Sequence, residues 1–530
     1  MRNFELPGRS AVHATGAMAA TSHPLATQTA ITILQAGGNA MDAAIAACAV
    51  QCVVEPQSTG IGGDCFVLYA PNGGGDVVAY NGSGRAPKAA TPAWYAEHGI
   101  RTIDGHSAHA VTVPGAVDAW CRLIADHGTM AIGDVLKPAI RYARDGFPVH
   151  ARVASDWMSN RAIIDEDAAT RRIYLPGGAP PAAGGLHRLP ELAKTLERIA
   201  KLGRDAFYTG PVAEDIVKHL RSLDGLHTLD DFAEAAGEYV APIKTRYRGF
   251  DVHECPPNGQ GITALLLLNI VSGLGLDKLD PLSPERLHLM IEASRLAYAE
   301  RDAVVADPRF VKVPVDRLLS ADFAGGLRGR IVPDRANAGR TPVDMPAHAD
   351  TVYISVVDKD RNAVSFINSL FEAFGSGITA PDSGVLLQNR GYAFRLDPKH
   401  PNCIGPGKRP MHTIIPGMLV KDGRAAMPFG VMGGQYQAFG HAYLLTNMFE
   451  HGLDVQEAMD LPRLFPTLDG PVEVESGMPN STVKGLKALG HKTQPTGKPL
   501  GGSQAIRIDW ESGVLAGGSD PRKDGCAIGY

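Results

Sequence analysis

Thr351 is the residue of this sequence best suited to act as a nucleophile. It follows Asp350 and begins an alternating run, residues 351–358, of the kind that forms a β-strand. A polar, proline-containing connector, residues 331–349, precedes it. If the chain is cut before Thr351, one Cα carries both a hydroxyl nucleophile and a free α-amine that can serve as its base. The sequence therefore predicts threonine-based acyl chemistry that depends on chain cleavage.

The secondary structure predicted on the two sides of Thr351 differs. Before it, helical periodicity dominates, with two alanine-rich helices within residues 24–55 and a long helix at 284–306. A hairpin of residues 65–69 and 77–81 and a strand at 247–254 interrupt the helices. After Thr351, strands are predicted at residues 363–369, 384–387, 414–420 and 425–429, with a last hairpin of 503–509 and 514–518. Because the strands cluster in hairpins, stacked antiparallel sheets flanked by helices fit better than a parallel α/β fold.

The bulk composition is that of an ordinary globular protein. The 530 residues are 44% hydrophobic and 20% charged, and a net charge of −5 gives no reason to expect nucleic acid or a membrane surface as partner. We see no basic start followed by an apolar core, and no apolar run long enough to span a bilayer. The seven scattered cysteines favour reduced thiols in a cytoplasmic protein over disulfides or a metal site.

Three other features each have a plain and a functional interpretation. Residues 55–64 form a glycine-rich loop, but it follows a helix and enters a strand, so a tight turn is favoured over phosphate binding, with Glu55 and Asp64 structural. Arg85 lies among glycines. Its planar guanidinium could bind a carboxylate, or it could be an ordinary solvent-exposed surface arginine. His106 and His109 are three apart but lack a third ligand, so no metal is expected there.

A series of short motifs, in order along nearly the whole chain, resembles the γ-glutamyltranspeptidase family of N-terminal-nucleophile hydrolases. No single motif is decisive, but their number and order make chance a poor explanation. Besides Thr351 itself, they are AGGNAMDAA (residues 36–44), GIGG (60–63), VPG (113–115), ADP (306–308), SVVDKD (355–360), GPGKRP (405–410), GG (433–434) and GGSDPR (517–522).

The resemblance implies an α+β fold, an αββα sandwich, and an inactive precursor. It implies that the Thr351 hydroxyl attacks the carbonyl of Asp350 and divides the chain into a large region, 1–350, and a small region, 351–530, that remain one interleaved unit. Gly433 and Gly434 match the family's oxyanion hole, although a simple strand-to-helix turn is the alternative interpretation. Ser369 falls where the family has a second threonine, and its hydroxyl could orient the Thr351 amine.

The sequence departs from the family in the pocket that recognises the acyl group. The family's carboxylate-binding arginine aligns with Ser83, and Arg85 is two residues later. The asparagine after the second threonine is Phe371 in this chain. The family's glutamine, aspartate and serine pair are replaced, in order, by Arg390, Ala393, His412 and Thr413. An ammonium group buried without a carboxyl partner is costly, so these changes indicate an acid without an α-amine. We therefore expect Arg85, Arg390, His412, Thr413 and Phe371 to contact substrate.

The function expected from this resemblance is hydrolysis of a small anionic amide, as in the family branch that includes oxamate amidohydrolase. The alternatives are glutathione hydrolysis or γ-glutamyl transfer, and deacylation of glutaryl-type side chains as in cephalosporin acylases. A non-enzymatic scaffold of the same fold is the alternative from another class. No cofactor is expected. The partners expected are a small-molecule amide and the two fragments of one precursor, with a homodimer of processed heterodimers as one form to be considered.

Overall fold

Two seven-stranded antiparallel sheets stack face to face in the computed structural model, which describes residues 5, 8–337, 350–467 and 470–530. Residues 338–349 of the predicted connector lie outside the described residues. The strands in chain order are β1 Val12–Ala14, β2 Met18–Thr21, β3 Asp64–Ala70, β4 Val78–Gly82, β5 Phe147–Pro148, β6 Leu186–His187, β7 Glu238–Val240, β8 Ile243–Tyr247, β9 Phe250–Glu254, β10 Asp350–Val357, β11 Ala363–Phe371, β12 Gly417–Lys421, β13 Arg424–Val431, β14 Leu464–Pro466, β15 Val472–Val474, β16 Thr493–Pro495, β17 Ser503–Ile508, β18 Leu515–Ser519 and β19 Cys526–Gly529.

Helices cover the outer faces of both sheets. In chain order they are α1 Pro24–Gln35, α2 Ala40–Val54, α3 Pro92–Glu97, α4 Ala116–His127, α5 Ile132–Asp145, α6 Ala151–Ser159, α7 Arg161–Glu166, α8 Ala168–Tyr174, α9 Pro190–Leu202, α10 Asp205–Tyr208, α11 Pro211–Ser222, α12 Leu229–Ala233, α13 Gly261–Val271, α14 Pro284–Val304, α15 Val315–Leu318, α16 Ala321–Arg328, α17 Tyr436–His451, α18 Val455–Asp460 and α19 Asn480–Ala488.

Both sheets draw strands from both sides of position 351. The first has the order β1-β18-β17-β13-β12-β9-β8, and the second has the order β19-β2-β10-β11-β3-β4-β7. The strand that begins at Asp350 is therefore an interior strand, paired with β2 on one side and β11 on the other. This arrangement confirms the expected sandwich of two antiparallel sheets flanked by helices.

The alternation of side chains along β10 explains the layering. Tyr353 and Ile367 point into the apolar layer between the two sheets, where they belong to the same buried cluster as Met418 of the facing sheet. Ile354 and Phe366 point the other way and join the core formed with α1 and α2. A third core lies outside the other sheet, beneath α13, α14 and α17. A strand with both faces buried holds its register firmly, because a slip of one residue would exchange the two faces.

Several predicted elements are corrected. The single strand predicted at residues 247–254 is a hairpin, because Arg248 and Gly249 adopt positive φ angles of 45° and 88° and reverse the chain. Residues 384–387 make only isolated bridges and no strand, and the hairpin predicted as the last is followed by β19. The glycine-rich loop after α2 is the predicted helix-to-strand turn. A Cβ at Gly63 would lie 2.4 Å from the Ser369 carbonyl oxygen, so only glycine allows the loop to approach β11 this closely.

Candidate active site

Thr351 lies opposite a break in the pairing of β10 with β11. Asp350 pairs with Phe371 but Val352 pairs with Asn368, so β11 carries one more residue than β10 at this point. The Thr351 hydroxyl oxygen is 3.1 Å from that of Ser369, and both side chains are buried. The irregular pairing thus places two hydroxyl groups from neighbouring strands within hydrogen-bonding distance.

The end of β11 has an unusual backbone conformation. Phe371 has φ +84°, in the left-handed region that side-chain-bearing residues seldom adopt. Its N–H donates to the Ser369 hydroxyl oxygen at 2.9 Å. Such conformations cost of order 1–3 kcal/mol and persist where the surroundings determine them. The hydroxyl of Ser369 therefore has two functions here, because it contacts Thr351 and supports the turn that orients Phe371.

Gly433 and Gly434 form the turn between β13 and α17. Their φ angles are +111° and +56°, and their carbonyl oxygens accept the N–H groups of Tyr436 and Gln437 at the start of the helix. Within the described residues, neither glycine N–H has a hydrogen-bond acceptor. Two N–H donors beside a helix N-terminus can stabilise a negatively charged oxygen. The turn lies close to Thr351, because the side-chain amide nitrogen of Gln437, at the start of α17, is 3.5 Å from the Thr351 hydroxyl oxygen.

A buried polar network supports this glycine turn. The Gln260 amide donates to the carbonyl oxygens of Gly434 at 3.0 Å and Thr413 at 2.7 Å. Arg301, on α14, donates to the Gln260 carbonyl oxygen at 2.7 Å and also to Gln435. We did not single out Gln260 or Arg301 from the sequence. Arg301 is one of three arginines in the long helix, so nothing in the sequence distinguished it from Arg286 and Arg295.

Arg390 is fully buried next to these residues. One guanidinium nitrogen donates to the Thr413 hydroxyl at 2.7 Å, and the guanidinium carbon lies 4.5 Å from the centre of the Phe371 ring. The other two nitrogens, Nε and Nη2, have no hydrogen-bond partner among the described residues. Burial lowers the pKa of Arg390 to about 9, and the charges of Asp64 and Glu372 oppose that shift. A buried cation with unfilled donors is a costly arrangement that a bound anionic group would satisfy.

Asp64 and His412 form a buried hydrogen-bonded pair beside Arg390. The His412 Nε2 donates to Asp64 at 2.9 Å, and His412 Nδ1 accepts the Ile414 N–H at 3.3 Å. These partners define the neutral tautomer with the proton on Nε2. Burial, with a contribution from Arg390, lowers the pKa of His412 to about 4. Both ring nitrogens therefore have protein partners, and the imidazole is held neutral.

Arg85 is the predicted substrate-binding residue that the structure separates from the others. Its guanidinium lies 3.6 Å from Asp307 and 3.6 Å from Glu238, and it makes a 3.4 Å contact with the Gly407 carbonyl oxygen. It lines a cavity formed by residues 83–86, 113–115 and 234–236, among others. Thr351, Arg390 and Gly433 do not line that cavity.

Glu372 is a residue of the site that sequence reasoning missed. With Gly433 it lines a cavity of about 230 Å³. Its carboxylate accepts a 2.6 Å hydrogen bond from the Asn389 side chain, and burial raises its pKa. Its position directly after Phe371, at the end of a buried strand, was the signal available in the sequence. A carboxyl group therefore does stand near Arg390, although none was expected in this region.

The described residues form neither a metal site nor a membrane span. In the part of the chain that the structure describes, no three His, Cys, Asp or Glu side chains are grouped so that they could hold a metal ion. Among those same residues, no helix is both long enough and apolar enough to cross a bilayer. The seven cysteines are all free thiols.

Comparison with known proteins adds independent information. Residues 26–530 match the family model described as gamma-glutamyltranspeptidase. The chain is 39% identical to the glutathione hydrolase-like YwrD proenzyme of Bacillus subtilis, over 97% of this chain and 98% of the relative. It is 34% identical to the oxamate amidohydrolase proenzyme of Klebsiella pneumoniae, over 97% and 99%. The solved structure of a cephalosporin acylase from Bacillus halodurans superposes with a TM-score of 0.92 at 38% identity, and the match covers 100% of this chain and 99% of that one.

Proposed function

Because the chain belongs to the γ-glutamyltranspeptidase family of N-terminal-nucleophile amidohydrolases, we propose that it cleaves itself before Thr351 and then hydrolyses amides of small carboxylate-bearing acids. We infer the substrate class from the buried Arg390 guanidinium, because two of its nitrogens lack hydrogen-bond partners among the described residues. The hydroxyl pair Thr351 and Ser369, 3.1 Å apart, supports the choice of nucleophile.

Self-cleavage proceeds through an ester. The Thr351 hydroxyl oxygen attacks the carbonyl carbon of Asp350, and the peptide bond between the two residues breaks as the Asp350 acyl group moves to the oxygen. The Thr351 nitrogen takes the proton and becomes a free amine. Water then hydrolyses the ester, which leaves one fragment ending at Asp350 and another beginning at Thr351. The proenzyme names of the two relatives support such processing.

Amide hydrolysis uses the amine that processing creates. The Thr351 amine takes the hydroxyl proton while the oxygen attacks the substrate carbonyl, and the proton then passes to the departing nitrogen. The N–H groups of Gly433 and Gly434 stabilise the negative oxygen of the tetrahedral intermediate, with about 3 kcal/mol from each donor. Ser369 orients the amine. Water then releases the acid from the Thr351 ester and regenerates the enzyme.

Arg390 binds the carboxylate of the acyl group. Its Nη1 is held by Thr413, so Nε and Nη2 remain for the two carboxylate oxygens in a bidentate pair. Phe371 supports the guanidinium plane from one side. His412, with both nitrogens occupied, contributes to the wall and keeps Asp64 in place. Arg85 contacts neither Thr413 nor Phe371, so we assign the carboxylate to Arg390 alone.

Glu372 favours a second candidate, hydrolysis or transfer of γ-glutamyl groups. A γ-glutamyl group carries an ammonium beside its carboxylate. A carboxyl partner offsets the free-energy cost of burying that ammonium. Glu372 lines the cavity at Gly433, and its charge influences Arg390. Arg390 would then bind the carboxylate and Glu372 the ammonium of the same group.

Three amides distinguish these candidates. We expect the processed protein to release ammonia from oxamate, or aniline from a glutaryl anilide, faster than it releases aniline from a γ-glutamyl anilide. Preference for the γ-glutamyl anilide would overturn the first proposal in favour of the second. The Glu372→Gln variant tests that choice, because it should lower kcat/KM only for a substrate with an ammonium, by about tenfold or more. Glu97→Gln, an exposed change, is the matched control.

A further inference from the structure

A second cavity, of about 520 Å³, lies against the loop that follows β4. Arg85 and Arg309 line it, together with apolar side chains that include Val113, Pro114 and Pro406. None of the residues assigned above to the acyl chemistry is among its lining residues. Gly84 and Gly115 mark its boundary with the catalytic region. Both line the cavity, and both donate their N–H groups to Asp64, whose other carboxylate oxygen binds His412.

The acidic residues that line this cavity already have partners. Asp118 accepts a 2.6 Å hydrogen bond from Arg204. Asp231 accepts the N–H of Lys88 at 3.0 Å and the hydroxyl of its helix-capping residue Thr228 at 2.8 Å. Glu234 is paired with the Lys88 ammonium at 2.6 Å. The charges that remain for a ligand are therefore the two arginines.

Arg85 is held only loosely by the protein. Its contacts with Asp307, Glu238 and the Gly407 carbonyl are 3.4–3.6 Å long, whereas strong charge-assisted hydrogen bonds are about 2.7–2.9 Å. Arg409 contacts both acids more closely, because its backbone N–H donates to Asp307 at 2.9 Å and its guanidinium binds Glu238. Arg85 is only 21% exposed, yet it keeps unused hydrogen-bonding capacity.

The electrostatics around Arg85 favour an added anion. Burial lowers its pKa to about 10, and the positive charges of Arg409 and Arg309 contribute to that shift. The Arg309 guanidinium is exposed and, within the described residues, has no ion-pair partner. Arg409 and Arg309 thus add two positive charges near Arg85, and a bound anion would relieve the repulsion among the three guanidinium groups.

We propose that this cavity binds a small organic oxyanion, a carboxylate or a phosphate ester, between Arg85 and Arg309. The planar guanidinium fork matches the geometry of both groups, and the apolar side chains accommodate a short carbon skeleton. The site is separate from Thr351, and the inference does not depend on the amide chemistry proposed above.

Isothermal titration of the full-length protein at constant ionic strength tests the site. Succinate is the carboxylate probe and inorganic phosphate is the phosphate probe, with chloride as the background anion. We expect one of them or both to bind to this cavity once per chain, apart from any succinate bound by Arg390, and a response to only one identifies which oxyanion the cavity takes. Arg85→Ala and the exposed change Arg309→Ala should each weaken binding by about tenfold or more.

Two control variants make the result decisive. Arg507→Ala removes an exposed arginine that lines a different cavity and should leave binding unchanged. Arg390→Ala removes the cation proposed for the acyl pocket, so it should remove only the succinate bound there and leave binding between Arg85 and Arg309 unchanged. The proposal is overturned if neither probe binds, if binding survives both Arg85→Ala and Arg309→Ala, or if Arg390→Ala alone abolishes it. Because Arg309 is exposed, its variant remains informative even if Arg85→Ala does not fold.

Discussion

The guanidinium carbon of Arg390 lies 4.5 Å from the centre of the Phe371 ring. Each partner is energetically unfavourable by itself, since Arg390 is a buried cation with unfilled donors and Phe371 has a positive φ angle. Both lie close to Thr351 in the structure, because Phe371 pairs with Asp350 across the sheet. Local departures of this kind are concentrated at functional sites, where stability is given up for binding or catalysis.

Replacing Arg390 should therefore separate stability from activity. We expect Arg390→Met to lower kcat/KM for a carboxylate-bearing amide by about 100-fold, while the free energy of unfolding stays within about 1 kcal/mol or rises. Steady-state kinetics and urea denaturation measure the two effects. Arg286→Met is the control, because that buried arginine donates to Thr446 and Asn447, and its loss should destabilise the fold. A fall of more than about 2 kcal/mol in Arg390→Met would contradict this account.

Thr351 should be essential for both cleavage and hydrolysis. We expect Thr351→Ala to remain a single chain of 56.1 kDa and to lose activity by about 10⁴-fold or more, because the nucleophile is gone. Thr351→Ser keeps a hydroxyl and should still be processed. Mass spectrometry identifies the second fragment by its start, Thr351-Val352-Tyr353. If the active protein contains no chain beginning at Thr351, the mechanism fails.

Removal of the Ser369 hydroxyl should lower the catalytic rate, because this one group makes two contacts at the site. Its removal takes away the contact with Thr351 and leaves the Phe371 N–H without its acceptor, so we expect Ser369→Ala to lower kcat by about 10- to 100-fold. Ser369→Thr restores the hydroxyl and should recover most of the rate. Ser376→Ala is the matched control, because Ser376 also accepts the N–H two residues later. Equal losses in both alanine variants would indicate a purely structural effect.

His412 should make stability depend on pH. Its pKa is about 4 in the folded protein and about 6.5 when unfolded, so below pH 6.5 the unfolded chain binds the extra proton. The free energy of unfolding is therefore highest above pH 6.5 and falls as the pH drops from 6.5 towards 4. Between about pH 7.5 and pH 5 the loss is on the order of 2 kcal/mol. Urea titrations should show that His412→Gln removes this part, whereas His98→Gln, at an exposed position, does not.

The elements around Thr351 were predictable because local patterns determine them. Alternation identified β10 and β11, and helical spacing identified α1, α2 and α14. The reversal at Arg248 was missed because a non-glycine residue with positive φ leaves little trace in the sequence. Gln260, Arg301 and Glu372 were missed for another reason. Their importance comes from partners far away in the chain, and single-sequence patterns do not report such contacts. The surroundings of Arg85 were hidden in the same way.

The interior position of β10 has a consequence for refolding. A cut before Thr351 would leave β10 paired with β2 through residues 355–357 and with β11 from Val352 onwards, so the two pieces would stay associated without a covalent link. An intact precursor can regain its fold after denaturation as a one-chain process. The processed protein would have to reassemble from two separate polypeptides, at a rate that falls on dilution. Maturation would thus exchange reversible folding for a state maintained mainly by its barrier to unfolding.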